Sequence, residues 1–301
     1  MIATAAIFAG IAGLFVGVLL NVLADDLPHY SRPKRPHYPD GTPRPISAWS
    51  GIMAFALGQR CPPGSDDRSN CLTWRYPLTE IATAIAFAVT VLRADAIAGG
   101  SNLFVQNMNT MQVIFWLYYM AMFVLIVVID VEHRLILFAV IIPSTVVALL
   151  DLILTPIPSP DLVIQWWMAP ADPTIGRGLQ GGLLGFFSFF VFYAGGFIYQ
   201  RVSAAVRGWA PDEVPFGYGD VMLAGLCGLI LGWRPLILAL FLTVFMGAIG
   251  AVMYIIMQKV RRGSGGMTTA LPYGPYIVAG AVLMLLFDAW VQDYLLAFIY
   301  G

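Results

Sequence analysis

Long apolar runs, separated by short polar segments, dominate the chain. Runs near the ~20 residues that a helix needs to cross a bilayer occupy 3–24, 78–92, 112–130, 136–155, 179–200, 221–233, 235–257 and 275–299. We predict eight membrane-spanning helices, one more or fewer depending on Arg234-Pro235, which either separates two spans or kinks a re-entrant hairpin. The sequence shows no strand alternation long enough for a barrel. The predicted fold class is therefore all-α, a polytopic membrane helical bundle.

The longest polar segment divides the chain into three parts. Residues 1–24 are predicted to be a retained first membrane helix, 25–77 a loop domain, and 78–301 the main membrane domain. Within the loop, Ile46 to Leu57 is apolar but too short to span. It either lies at the membrane interface or forms a small core, and we favour the core. Glycines inside the later spans predict close helix packing, at Gly181-Gly182, Gly195-Gly196, Gly247 and Gly250.

The composition indicates a membrane protein and sets its orientation. Of the 301 residues, 59% are hydrophobic and 11% are charged, and the mean hydropathy is +0.79, far from the average of soluble domains. A net charge of -1 gives no reason to expect a nucleic-acid partner. With both termini outside, the inner loops hold 13 of the 16 lysines and arginines, as the positive-inside rule requires. The loop domain is thus predicted to be cytoplasmic.

Two acidic residues stand at the ends of apolar runs. Asp220 follows Gly217-Tyr218-Gly219 and begins one run, whereas Asp130 closes the run 113–129. In the predicted orientation both acids reach the cytoplasmic face of the membrane. The two glycines permit backbone angles closed to other residues, so we expect residues 217–219 to shape a cleft. Asp220 alone could be a simple helix cap, but the second acid favours a working pair of carboxylates.

The three cysteines make no disulfide framework. Cys61 and Cys71 have nine residues between them, whereas compact zinc modules usually separate paired cysteines by two to four. They are weak metal candidates that His29 and His37 would have to complete, so we favour reduced thiols and no metal. Cys227 lies in an apolar run and is expected to be a small packing residue.

Five segments carry a family resemblance. In chain order they are Gly17–Pro28, Trp74–Pro77 with Glu80, Ile129-Asp130 with Leu135-Ile136, Gly217-Tyr218-Gly219-Asp220 with Leu223–Trp233, and Pro272–Pro275. On these segments the chain resembles the type IV prepilin leader peptidases, membrane aspartyl proteases with a Gly-x-Gly-Asp motif. The resemblance covers most of the chain.

The resemblance implies an aspartic endopeptidase of the bacterial inner membrane, acting in type IV pilus assembly or protein secretion. It implies removal of the short basic leader of prepilins or pseudopilins, with cleavage after glycine. Asp130 and Asp220 would be the catalytic residues. Two close carboxylates share a proton, so one activates a water while the other protonates the scissile carbonyl oxygen. The sequence leaves these roles interchangeable, and proteolysis is expected to need no cofactor.

One departure from the family pattern concerns a second activity. Members that also N-methylate the new amino terminus carry two Cys-x-x-Cys pairs in the first cytoplasmic loop, and this loop has neither pair intact. Methylation is therefore doubtful, and S-adenosyl-L-methionine is a cofactor only if methylation is retained. The alternative function is a membrane transporter or proton pathway that uses the paired aspartates, although no inverted repeat of broken helices supports it.

Overall fold

The structure, a computed structural model, describes residues 2–29, 33–64, 67–96, 110–155, 174–207, 217–262 and 272–300. In chain order its helices are α1 (Ile2–Asp26), α2 (Gly51–Ala56), α3 (Arg75–Ala96), α4 (Thr110–His133), α5 (Phe138–Leu154), α6 (Thr174–Arg207), α7 (Tyr218–Leu231), α8 (Trp233–Arg262) and α9 (Gly274–Tyr300). Every helix except α2 coincides with a predicted apolar run. Over the described residues, β structure amounts to one isolated bridge between His37 and Pro43. The all-α fold class is therefore confirmed.

Helix length separates the apolar helices into two groups. Among the described residues, five helices are long and apolar enough to cross a membrane, namely α1, α3, α4, α6 and α8. The apolar stretches of α5, α7 and α9 are shorter, so eight crossings stay a prediction. The break between α7 and α8 falls at Gly232, whose φ of +78° lies in the left-handed region that favours glycine. Pro235 instead lies in the first turn of α8, where its missing N–H removes no helix hydrogen bond.

The described residues up to Ala139 form one compact unit. In this unit α1 lies along α3, and α4 contacts both. Gly17 lets two backbones meet, because a Cβ there would lie 2.6 Å from the Cα of Glu80. The loop domain packs a small core against the start of α3, made of Tyr38, Ala48, Ala54, Leu72 and Tyr76. The predicted core within Ile46 to Leu57 is therefore confirmed.

The described residues from Val140 onward form a second compact unit. In this unit α6 packs on α7, and α8 packs on α9. A Cβ on Gly181 would lie 2.2 Å from the carbonyl oxygen of Gly228, and one on Gly250 would lie 1.9 Å from the Tyr276 hydroxyl. The packing role predicted for these glycines is confirmed. It is wrong for Gly195, since no described atom of a neighbouring segment lies within 4 Å of its Cβ position.

Candidate active site

Asp130 lies on α4, one turn before the helix ends. The residue is buried, with 4% of its surface exposed. The Arg134 N–H donates to the Asp130 carbonyl oxygen at 2.8 Å, and Arg134 has a φ of 54°. A single left-handed residue of this kind is a common helix stop. The chain therefore turns away directly after the segment that carries Asp130.

Charged side chains join the helix ends next to Asp130. Arg75 at the start of α3 pairs with Asp25 at the end of α1 and with Glu132 on α4, the latter at 2.5 Å from Nη1 to Oε2. Arg44 of the loop domain also binds Asp25, at 3.2 Å. Because charged groups avoid hydrocarbon, this cluster marks the polar boundary at one end of α1, α3 and α4. Asp130 is two residues from Glu132, at that same end.

Asp220 lies in the first turn of α7, which has Gly217 as its N-cap residue. The Gly217 N–H donates to the Asp220 carboxylate, with 3.1 Å from N to Oδ2. Asp220 is therefore not the N-cap residue that one interpretation of the sequence made it; it lies three residues further on, and its side chain accepts from the N-cap N–H. The residue is partly exposed, so capping does not enclose the carboxylate.

The backbone at Gly217 differs from the sequence prediction. Its φ of -78° and ψ of 151° are open to any residue. A Cβ there would make an ordinary contact with Asp220 Oδ2 at 3.6 Å. The expectation that Gly217 supplies angles closed to other residues is therefore wrong. A cleft shaped by Gly217, Tyr218 and Gly219 stays a prediction, as does the pairing of Asp130 with Asp220.

Aromatic side chains of α6 contact Tyr218 at the start of α7 and Tyr273 before α9. Tyr218 meets Tyr193 of α6 edge to face, with ring centroids 5.7 Å apart. Tyr273, just before α9, packs on Phe189 at 6.1 Å. Burial, and secondly the nearby charge of Asp220, raise the pKa of Tyr273. The charge of Asp220 thus acts on Tyr273, a residue that the sequence analysis named only as part of a family segment.

Glu80 on α3 is a buried acid to which sequence reasoning gave no role. It is 1% exposed, and its carboxylate holds the start of α2 against the membrane helices. Its donors are the Gly51 N–H at 2.5 Å, the Ile52 N–H at 3.1 Å, the Ser50 hydroxyl at 2.7 Å and the Asn21 amide at 3.3 Å. Asp288 of α9 is also buried, at 0% exposure. The signal for both was an acid inside an apolar run.

Cys61 and Cys71 are joined by a disulfide, so the expectation of reduced thiols is wrong. The Leu72 N–H donates to the Arg60 carbonyl oxygen at 2.8 Å, and this backbone contact brings the two cysteines together. Paired sulfurs offer no thiolate to a metal, which removes these weak candidates. Cys227 is buried in α7, as predicted for a packing residue.

The two loop histidines lie apart from the disulfide. The His29 ring contacts His133 at 5.3 Å between centroids, and His37 Nε2 lies 3.8 Å from the buried Asp26 carboxylate. Asp26 also accepts from the Lys34 N–H at 2.5 Å. Within the described ranges, no group of three or more His, Cys, Asp or Glu side chains is arranged to hold a metal ion. The histidines therefore do not complete a Cys2His2 set.

The chain is similar to proteins named as leader peptidases. Residues 117–252 match the sequence model of the Type IV leader peptidase family. Three similar proteins are each named prepilin leader peptidase/N-methyltransferase. The proteins of Pseudomonas aeruginosa and Stutzerimonas stutzeri are 35% and 36% identical over 80 residues, which is 26% of this chain and 26% of each relative. The protein of Pseudomonas putida is 40% identical over 70 residues, which is 23% of each chain. The chain thus matches about a quarter of the length of these relatives. No solved structure matches it.

Proposed function

We propose that this chain is a membrane aspartic endopeptidase. The premise is that residues 117–252 form a domain of the Type IV leader peptidase family. Its substrates are type IV prepilins or pseudopilins, and it removes their short basic leader after glycine. One observation carries the proposal: the matched range contains both Asp130 and Asp220, each at an end of an apolar helix. The relatives named as prepilin leader peptidases support the substrate class.

Helix ends give the two acids different roles in the proposed reaction. Asp220 lies at the N-terminal end of α7 and accepts the Gly217 N–H. A helix N-terminus and an N–H donor both stabilise a negative charge. Asp130 is buried near the C-terminal end of α4, where the helix dipole opposes one. We therefore assign Asp220 as the ionised base and Asp130 as the protonated acid.

The reaction follows from these roles. Asp220 takes a proton from a water, and that water attacks the scissile carbonyl carbon. Asp130 donates its proton to the carbonyl oxygen, so the tetrahedral intermediate carries no full negative charge. Collapse of this intermediate breaks the C–N bond, and the amine leaves with a proton from the pair. A pilin enters with its leader at the cytoplasmic face and its apolar helix in lipid, and the proposed pair acts on the bond between these two parts of the substrate.

The relatives' names also include an N-methyltransferase activity, which uses S-adenosyl-L-methionine as its methyl donor. One groove on the described residues does not fit that cofactor. A groove of about 430 Å³ between α1 and α3 is lined only by apolar residues, Ala3, Ala6, Ile7, Gly10, Ala84, Ile85, Ala88 and Leu92. The cofactor presents a carboxylate, an ammonium group and an adenine ring, which need polar partners. Because the loop of residues 25–77 also has no intact Cys-x-x-Cys pair, we propose proteolysis without a methyl-transfer step.

The test is cleavage of a purified prepilin by the chain reconstituted in lipid nanodiscs. Asp130→Asn and Asp220→Asn should each lower the cleavage rate at least about a thousandfold, because each removes one half of the acid and base pair. Asparagine keeps the shape of aspartate, so nanodisc incorporation and helix content should not change. Near-normal cleavage by either variant would contradict the pair.

Asp40→Asn is the matched control, because Asp40 is an exposed acid in a loop turn. Glu132→Gln lies closer to Asp130 but is a poorer control, because it also removes the ion pair between Glu132 and Arg75. Proton flux into liposomes, measured on the same variants, distinguishes the transporter alternative. Flux that both Asn variants abolish, without any cleavage by the parent chain, would replace the peptidase proposal.

A further inference from the structure

An exposed apolar stripe runs along the loop domain. Ile46 and Trp49 share one side of the 3-10 turn Ile46–Ala48, and Met53 and Leu57 share one side of α2, by helical spacing. Their exposed fractions are 81% for Ile46, 40% for Trp49, 48% for Met53 and 52% for Leu57. The intervening residues Ala48 and Ala54 are buried in the loop core. The segment therefore turns small residues inward and large apolar residues outward, the reverse of an ordinary water-facing helix.

The stripe continues onto the membrane helix α3. The Phe55 ring of α2 contacts the Trp74 ring just before α3, with centroids 4.7 Å apart. From Trp74 onward, large exposed apolar side chains recur every three or four residues, at Trp74 (65%), Leu78 (59%), Ile81 (43%) and Ile85 (58%). Because α3 is apolar and long enough to cross a membrane, this face of α3 faces lipid. The loop stripe extends the same apolar surface beyond the helix.

Charges fix the depth at which the two surfaces meet. Arg75, the residue after Trp74, belongs to the cluster with Asp25 and Glu132 that marks the polar boundary. Tryptophan is the residue enriched at that boundary. Beside the stripe, the Arg60 guanidinium lies over the Phe55 ring at 4.3 Å. A cation held there is placed to meet lipid phosphate while the apolar side chains enter the acyl region.

We propose that the loop domain is itself anchored in the membrane. The stripe of Ile46, Trp49, Met53 and Leu57, continued by Trp74, inserts into the boundary between head groups and acyl chains of the adjacent leaflet. The occupant of this apolar face is phospholipid rather than a protein partner. The anchor holds the loop domain at the depth of the ends of α1, α3 and α4, and it does not depend on the proposed peptidase activity.

Spin labels can measure this insertion on the full chain in nanodiscs of phosphatidylethanolamine and phosphatidylglycerol. Met53→Cys and Leu57→Cys place labels on the stripe, and Ile85→Cys gives the lipid-facing reference on α3. Thr42→Cys, an exposed position in the polar turn near Asp40, is the matched aqueous control. The native cysteines do not interfere under oxidising conditions, because Cys61 and Cys71 are paired and Cys227 is buried.

Collisions of the labels with oxygen and with a water-soluble nickel chelate give the depth. We expect labels at 53 and 57 to resemble label 85, with high oxygen and low nickel accessibility, and label 42 to show the reverse. High nickel accessibility at 53 and 57 would overturn the proposal. Low accessibility to both reagents, or dipolar broadening between labels of two chains, would also overturn it, because a protein partner or a second copy would then cover the stripe.

Discussion

At the scale of single residues, the Asp220 carboxylate is held at the start of α7 by the Gly217 N–H, which donates to it at 3.1 Å. Asp130 and Asp220 lie at helix ends, as the apolar runs indicated. The glycine argument was wrong at Gly217, because two glycines permit unusual backbone angles without requiring them. Tyr273 was missed because its proximity to Asp220 depends on contacts between elements distant in sequence. Local motifs show which residues carry chemistry, and tertiary packing decides their neighbours.

The N–H of Gly217 gives a prediction at this scale. Gly217→Pro keeps a φ near -78° but removes the N–H that donates to Asp220. If that hydrogen bond supports the ionised base, cleavage by the proline variant should fall about tenfold, the effect of losing one charge-assisted hydrogen bond of ~1.5 kcal/mol. The measurement is the pH–rate profile of prepilin cleavage.

Gly217→Ala is the control for that substitution. It keeps the N–H, and its Cβ would meet Asp220 Oδ2 only at an ordinary 3.6 Å, so its cleavage rate should stay close to that of the parent. Equal activity in both variants would remove the N–H from the mechanism. Equal loss in both would restore the glycine requirement that the sequence suggested.

At the scale of elements, the hydropathy pattern predicted the positions of the apolar helices but not the break between α7 and α8 or the contact of α2 with α3. Each predicted run coincides with a helix, because a helix satisfies the backbone hydrogen bonds of an apolar segment where water is absent. The break at Gly232, rather than at Arg234-Pro235, depends on a single backbone angle. The attachment of α2 to α3 could not be predicted, since Glu80 and Gly51 are 29 residues apart.

Glu80 gives a prediction at this scale. The Gly51 N–H and the Ile52 N–H donate to different oxygens of Glu80, so Glu80→Gln leaves one of these two donors facing an NH2 group instead of an acceptor. A buried donor that loses its acceptor costs roughly 1–3 kcal/mol. Hydrogen exchange of the Gly51 and Ile52 amides, measured in nanodiscs, should therefore become faster, while α4 keeps its protection.

Ser50→Ala is the graded comparison, because it removes one of the four hydrogen bonds to Glu80 together with the long 3.4 Å bond that the Ser50 hydroxyl accepts from the Met53 N–H. Its effect on exchange should be smaller than that of Glu80→Gln. Unchanged exchange in Glu80→Gln would mean that the loop core of Tyr38, Leu72 and Tyr76 holds α2 without the carboxylate.

At the scale of the whole molecule, the composition was enough to predict a membrane protein but not to predict which cysteines form a disulfide. A hydrophobic content of 59% leaves little besides a membrane bundle. Cysteine spacing, in contrast, does not determine which cysteines pair, so the bond between Cys61 and Cys71 required the folded loop. The family match runs from α4 to α8 and leaves the loop domain outside it. The proposed cleavage machinery and the loop domain are thus separate parts of the chain.

That separation gives the last prediction. Cys61→Ser together with Cys71→Ser should leave prepilin cleavage within about twofold of the parent, because neither cysteine belongs to the matched domain and distant surface changes alter energies little. The loop domain alone should lose stability, by up to about 3 kcal/mol for a loop of this length. Proteolytic susceptibility of the loop measures the second effect, and reduction of the parent chain with dithiothreitol is the matched control.

Chelators should leave the cleavage rate unchanged. Two results together would contradict this prediction. One is zinc bound at one ion per chain that the double substitution releases, and the other is transfer of a labelled methyl group to the cleaved pilin. They would show that the two cysteines are thiolate ligands and that the loop is a methyl-transfer domain.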